Sequence, residues 1–184
     1  MRGPDDVPAR LLMATKSAIS VEEYLRTSFE DGDCDYVDGE VIERNVGERT
    51  HSLIQKKLIL LLARLVDHLG MALLPEIRVQ ISPRRFRVAD IAVWREDEPG
   101  EEIPRTPPFL AIEILSPEDR MSRMVLRISD YLTAGIEYVW VIDPYDRVGL
   151  MFSKQSPIGV SVEVLRTENP TIEIPLETVL TPPD

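Results

Sequence analysis

FLAIEILSPEDRMSRMVLRISDYLTAGIEYVWVIDP, residues 109–144, is the stretch from which the rest of this chain is read. FLAIEIL is short, apolar and rich in β-branched residues, the composition of a buried strand. Ser116-Pro117-Glu118-Asp119 has the chemistry of a helix start, and the helix is expected to run to Ala134, where Gly135 closes it. EYVWVID is a second buried strand. Strand, helix and strand in this order predict a right-handed βαβ unit with parallel strands.

Glu113 breaks the pattern of its own strand. Alternation places it with Phe109, Ala111 and Leu115 on a face that is otherwise apolar, where an unpaired carboxylate is costly. Upstream, FRVADIAVW (86–94) carries Asp90 in the same way. Two acids at comparable depths in successive strands are what a divalent metal site needs. Mg²⁺ takes one or two carboxylates and fills its other positions with water or phosphate oxygens. The plain alternative is that one or both side chains face solvent on an amphipathic strand or belong to a structural ion pair.

Working toward the N-terminus, ALLPEIRVQI (72–81) and FRVADIAVW are separated by Ser82 to Arg85, a turn-sized gap with Pro83, which predicts a hairpin. Thr50 is the expected cap of a long amphipathic helix, HSLIQKKLILLLARLVDHL, ended by Gly70. CDYV and EVIER flank Asp38-Gly39, the strongest short hairpin signal, because that dipeptide tolerates positive φ. Ser20 and Glu23 have capping-box spacing, so a short helix is expected through VEEYLRTS. Residues 1–18 show no period and contain two prolines, the pattern of a flexible tail; residues 19–184 read as a single domain. Toward the C-terminus, edge strands are expected around Val148 to Phe152, Val160 to Leu165 and Thr171 to Ile174, and Glu96 to Pro108 reads as a surface loop.

Composition excludes several classes. The longest apolar run, LILLLA at 58–63, falls far short of the roughly 20 residues a membrane helix needs. MRGPDDVPAR places charges and prolines where a signal peptide has its apolar core, so export is not expected. Cys34 stands alone, which rules out an internal disulfide and fits a cytoplasmic protein. The net charge of −11 argues against indiscriminate nucleic-acid binding, which rests on clustered Lys and Arg. Local clusters exist all the same: Arg84, Arg85 and Arg87 beside Asp90, and Arg120, Arg123 and Arg127 after Glu113. They are equally readable as counter-charges on an acidic surface.

Taken in order, VEEYLR, DYVDGEVIE, a His opening a long helix, VADIAVW, AIEILSPEDR and DYLTAGIEYVWVIDP resemble a restriction endonuclease family of small bacterial proteins (Uma-two type) within the PD-(D/E)XK nuclease superfamily. The resemblance spans residues 20 to 153. It implies an α/β fold with a restriction-endonuclease-like core, a central mixed β-sheet flanked by helices. It also implies a metal-dependent endonuclease cutting DNA, with Asp90 and Glu113 as the two motif acids holding Mg²⁺ or Mn²⁺. Ala89 stands where the family usually has proline, and Leu115 where the general pattern has lysine. Arg127 occupies the place, one helical turn before Tyr131, where this family commonly offers a lysine. Arginine can stabilise charge on phosphoryl oxygens but cannot act as a general base.

Asp35 and Glu40, either side of the DG turn, are candidates for a further catalytic acid, and His51 for an assistant; exposed hairpin residues and a helix-terminal histidine would explain them as well. His68, near the helix C-terminus, reads as structural. The polar side of the long helix, with Gln55, Lys56 and Arg64, is placed to touch DNA or the second subunit of a homodimer. Two competing functions remain at this level: a catalytically impaired nuclease-fold binding module lacking the motif lysine, and a carboxylate metal site acting on a non-nucleic phosphoester.

Overall fold

The computed structural model describes residues 18–29, 34–45, 47–96 and 100–181, so the expected tail lies outside the described residues but for its last position. Val21–Arg26 forms α1, and the Ser20 side chain accepts the Glu23 N–H at 3.1 Å, as capping-box spacing requires. Strands β1 (Asp35–Val37) and β2 (Glu40–Ile42) turn through Asp38 and Gly39, at φ of 52° and 106°. Positive φ at both positions matches the right-handed twist of the flanking strands.

Helix α2 (Arg49–Val66) is extended by a 3₁₀ turn over Asp67–Leu69 and stops at Gly70, which is left-handed with φ 62°. It starts earlier than expected. Glu48, not Thr50, holds the cap position and makes no side-chain capping bond. Next come the long hairpin of β3 (Ala72–Ser82) and β4 (Arg85–Trp94), then β5 (Leu110–Ile114), α3 (Met121–Ala134) and β6 (Tyr138–Asp143). β5 and β6 are parallel, as the βαβ pattern requires.

Helix α3 begins at Met121 rather than at Ser116. The Asp119 N–H donates to the Ser116 carbonyl at 3.0 Å and the Ser116 N–H to Asp119 Oδ2 at 2.7 Å, a local turn that competes with helix formation. β7 (Val148–Ser153) and β8 (Val160–Val162) extend the main sheet. The remaining strand positions do not form edges of that sheet. β9 (Val164–Thr167) and β10 (Ile172–Pro175) pair with each other in a separate two-stranded sheet, followed by α4 (Leu176–Leu180). Leu165, Ile172, Ile174, Leu176 and Val179 are buried there against the main core, a covering role that alternation alone does not reveal.

The main sheet runs β2-β1-β4-β5-β6-β7-β8, with β3 on the other edge of β4. Helices cover both of its faces. Ile54, Leu58, Leu62 and Val66 of α2 pack on Ile91, Val93, Leu110, Ile112, Trp140 and Ile142. Each fully buried side chain of this kind contributes about 1.5–3 kcal/mol. Met124, Ile128 and Tyr131 of α3 pack on Ala89, Ala92, Ala111, Val139 and Val141 of the opposite face.

One irregularity positions the site. β1 pairs with β4 at Phe86 and Arg85, and β5 pairs with the same edge at Ile91 to Val93. Residues 87–90 have no strand partner on that edge among the described residues. There the Val88 N–H donates to the Asp35 carboxylate at 2.9 Å, and the Ile114 N–H donates to Asp90 Oδ2 at 2.7 Å.

Candidate functional site

Buried main-chain groups must be paired, and in this gap carboxylates do the pairing. One register step beyond Ile91 and Ile112, the last paired positions, come Asp90 and Glu113. On the other edge of β4, Glu76 stands across from Asp90, between the Pro75–Ile91 and Ile77–Ala89 pairs. Three acids therefore occupy one row across β3, β4 and β5. Asp90 and Glu113 are each 1 % exposed and open into one cavity of about 410 Å³. That depth rules out the solvent-facing alternative for both.

Each of the two acids has one oxygen tied to a fixed donor and one held by an arginine. Asp90 Oδ2 takes the Ile114 N–H and lies 3.2 Å from His51 Nε2, while Asp90 Oδ1 accepts from Arg44. Glu113 Oε1 accepts from the Tyr131 hydroxyl, and Glu113 Oε2 from Arg127 at 2.7 Å. Arg127 also donates to Asp35 at 2.8 Å, and Asp35 receives Arg87 at 2.8 Å. Arg87 and Arg85 both reach Asp130 on α3.

Burial and charge act against each other here. Burial pushes the Glu113 carboxyl up to about 7; Arg127 counters this and the charge of Asp90 adds to it. Burial also opposes ionisation of Asp90, but the His51 bond, Arg44 and the Ile114 N–H outweigh it and hold the carboxyl below the usual range. For His51, burial disfavours protonation, yet the bond to Asp90 and its charge raise the imidazole pKa. Arg127 stays well above its ordinary value, because Glu113 and Asp35 outweigh its burial. Burial and the neighbouring Glu113 keep the Tyr131 phenol protonated.

The sequence-level candidates separate clearly. Asp35 is fully buried, not an exposed hairpin residue, because β1 lies beside the gap and its side chain fills it. His51 is buried against Asp90. Glu40 is exposed at the cavity rim and forms no hydrogen bond or ion pair with Asp90 or Glu113. Arg127 pairs with Glu113 and Asp35 rather than with acids of its own helix. Gln55 turns inward, donating to Glu76 at 2.6 Å and to the Asp90 carbonyl at 3.0 Å, so it is not part of an outer contact face; Lys56 and Arg64 are exposed. His68 is exposed in the 3₁₀ turn.

Three participants were not identified from the sequence. Arg44 is a lone cation after β2 that bridges Asp90 and Glu76, with Glu76 Oε2 at 2.7 Å. Glu76 adopts φ 47°, an uncommon conformation for a non-glycine residue inside a strand. Pro75-Glu76 in an apolar run was the one visible irregularity. Asp130 is buried as the acceptor for two arginines.

Among the described residues, no three His, Cys, Asp or Glu side chains form a cluster able to hold a metal. A Mg²⁺-type site does not require three, since water and phosphate oxygens complete its shell. The donor set fits that case. Two carboxylates share a cavity, and each offers one oxygen whose partner is a side-chain cation and not the fold's main chain. Six carboxylates and five arginines line the cavity, so one divalent cation turns its formal charge positive. Arg120 and Arg123, exposed on its rim, form no ion pair with a described residue.

The model of the Uma2 family, described as "Putative restriction endonuclease", matches residues 21–181. Among solved structures, a "putative nuclease belonging to DUF820" from Anabaena variabilis superposes with a TM-score of 0.76 at 20% identity, covering 88% of this chain and 97% of the other. That likeness establishes a shared fold. No curated protein matches the chain. Among the described residues no helix is long and apolar enough to cross a membrane. The family match supports a nuclease-like function. With that model covering most of its length, the chain belongs to the Uma2 family.

Proposed function

We propose that this protein is a metal-dependent endonuclease acting on DNA. The observation that carries the reading is the pair Asp90 and Glu113, two buried acids at one register level opening into a single arginine-lined cavity. Asp90 Oδ1 and Glu113 Oε2, the oxygens that Arg44 and Arg127 now hold, would ligate Mg²⁺ or Mn²⁺. The bound ion would polarise the scissile phosphate and lower the pKa of an attacking water.

The chain's own residues supply the rest. The Ile114 N–H and His51 orient Asp90, and Tyr131 orients Glu113, so neither carboxylate rotates freely. Arg127, already beside Glu113, would stabilise charge on the phosphoryl oxygens. Arg120 and Arg123 would take neighbouring backbone phosphates at the rim, where an otherwise acidic surface needs local cations.

A second reading, a nuclease-fold binding module without catalysis, is favoured by one observation: the cavity lining contains five arginines and no lysine. Incubating supercoiled plasmid and duplex oligonucleotides with the protein and Mg²⁺ or Mn²⁺ decides between them. Cleavage that disappears in Asp90→Asn and Glu113→Gln supports the nuclease. DNA binding without cleavage by the wild type supports the binding module, and neither activity on DNA, with hydrolysis of a small phosphodiester, points to a non-nucleic substrate.

A further inference from the structure

The Asp90 oxygen that faces the cavity is held by a side chain tethered elsewhere. Arg44 lies in the segment between β2 and α2, with its side chain 15 % exposed, and its two terminal nitrogens are divided between Asp90 Oδ1 and Glu76 Oε2. Asp90 Oδ2 is already committed to the Ile114 N–H and His51. Among the described residues Oδ1 has no other partner, so a cation binding Asp90 through that oxygen meets the Arg44 guanidinium there and competes with it. The tether is itself specific. Glu76 sits across β3 from Asp90 with positive φ, its side chain about half exposed, and it also receives Gln55.

We infer that Arg44 is an exchangeable cation that occupies Asp90 Oδ1 in the metal-free protein and is displaced when a divalent cation binds, with Glu76 holding it in the competing position. The inference rests on the metal-site reading proposed above. Its consequence is an apparent metal affinity set by competition: the ion must displace a guanidinium from a buried carboxylate, so only the fraction of molecules with Arg44 released binds directly. An arginine is suited to such a role. Its rigid planar fork presents a separate nitrogen to each of the two acids, where a lysine would have to share one compact ammonium between them.

Mn²⁺ binding, followed by the loss of the free-ion electron paramagnetic resonance signal, tests this without any cleavage assay. Wild type, Asp90→Asn, Arg44→Gln and Glu76→Gln are compared, with circular dichroism confirming that each is folded. Competition predicts binding about tenfold or more tighter in Arg44→Gln, because the competitor is gone. It also predicts severalfold tighter binding in Glu76→Gln, because Arg44 loses its tether. The second variant separates occupancy from a general field effect: removing a nearby negative charge without competition would weaken Mn²⁺ binding. Weaker or unchanged binding in Glu76→Gln, with wild-type binding that depends on Asp90, overturns the inference and leaves the metal site standing. Absence of saturable binding in every variant overturns both.

Discussion

Asp35 and Arg127 are joined at 2.8 Å, tying β1 to α3 across the gap that the sheet leaves beside β4. The same guanidinium holds Glu113, so one side chain neutralises two acids that are both fully enclosed. The structural role of Arg127 therefore overlaps the chemical role proposed for it, and mutation will not separate the two as cleanly as at an exposed residue.

Arg127→Ala should lower stability by about 3–5 kcal/mol, the cost of leaving a buried charge without its partner. Asp35 keeps Arg87, so the acid left without its cation is Glu113, and much of the loss should return in Arg127→Ala combined with Glu113→Gln, measured by urea denaturation. A loss below about 1 kcal/mol, the range of a surface pair, would contradict the burial argument. Arg127→Lys keeps the charge and should keep the fold. If it cleaves as well as wild type while Arg127→Ala loses on the order of 10²-fold or more, the residue acts on the phosphate as well as on Glu113.

Glu113 should make stability fall between mildly acidic and neutral pH. Its folded-state pKa of about 7 lies above the ordinary 4.5, so in this window the native state binds a proton that the unfolded chain has released. Stability from this group is fully present below about pH 4.5 and is lost as pH rises through 7. Asp90 acts in the opposite sense, since its depressed pKa contributes stability that disappears only on strong acidification. Denaturation curves at pH 5 and pH 7.5 should show a smaller difference in Glu113→Gln than in wild type. Equal differences would place the proton elsewhere.

His51 should titrate above the ordinary 6.5, because Asp90 favours the charged ring more than burial opposes it. In Asp90→Asn the negative charge is removed and any remaining bond to the ring is neutral, so burial, with Arg44, should lower the value. Two-dimensional NMR of the imidazole signals measures both proteins. An unchanged His51 titration in the variant would mean that the 3.2 Å contact carries no electrostatic coupling.

Mg²⁺ or Mn²⁺ should raise the melting temperature of wild type, since a ligand that binds only the native state must stabilise it. Asp90→Asn should abolish the response. With a net charge of −11, generic screening would also stabilise the protein, but it would do so equally in the variant and in Ca²⁺-free sodium salt of matched ionic strength. An equal rise in both proteins would reduce the effect to screening.

Much of the fold was legible because it rests on local signals. The period of β5, the Gly135 stop and the period of β6 define the βαβ unit, and the Asp38-Gly39 dipeptide defines the first hairpin. The departures arose where local bonding or covering surface decided. Ser116 and Asp119 close a turn on each other and delay α3, while β9 and β10 leave the main sheet to cap the core beside α2.

By itself the sequence determined that Asp90 and Glu113 lie at strand depth where charge is costly, since alternation is a property of neighbouring residues. Which cations meet those acids was a matter for the tertiary structure. Arg44 reaches Asp90 across 46 positions, and Arg127 reaches Asp35 across 92. Such pairs depend on strand order, on β1 and β5 sharing one edge of β4, and on the gap between them. Strand order follows from how whole elements bury their apolar faces together, and no short-range pattern of residues encodes it.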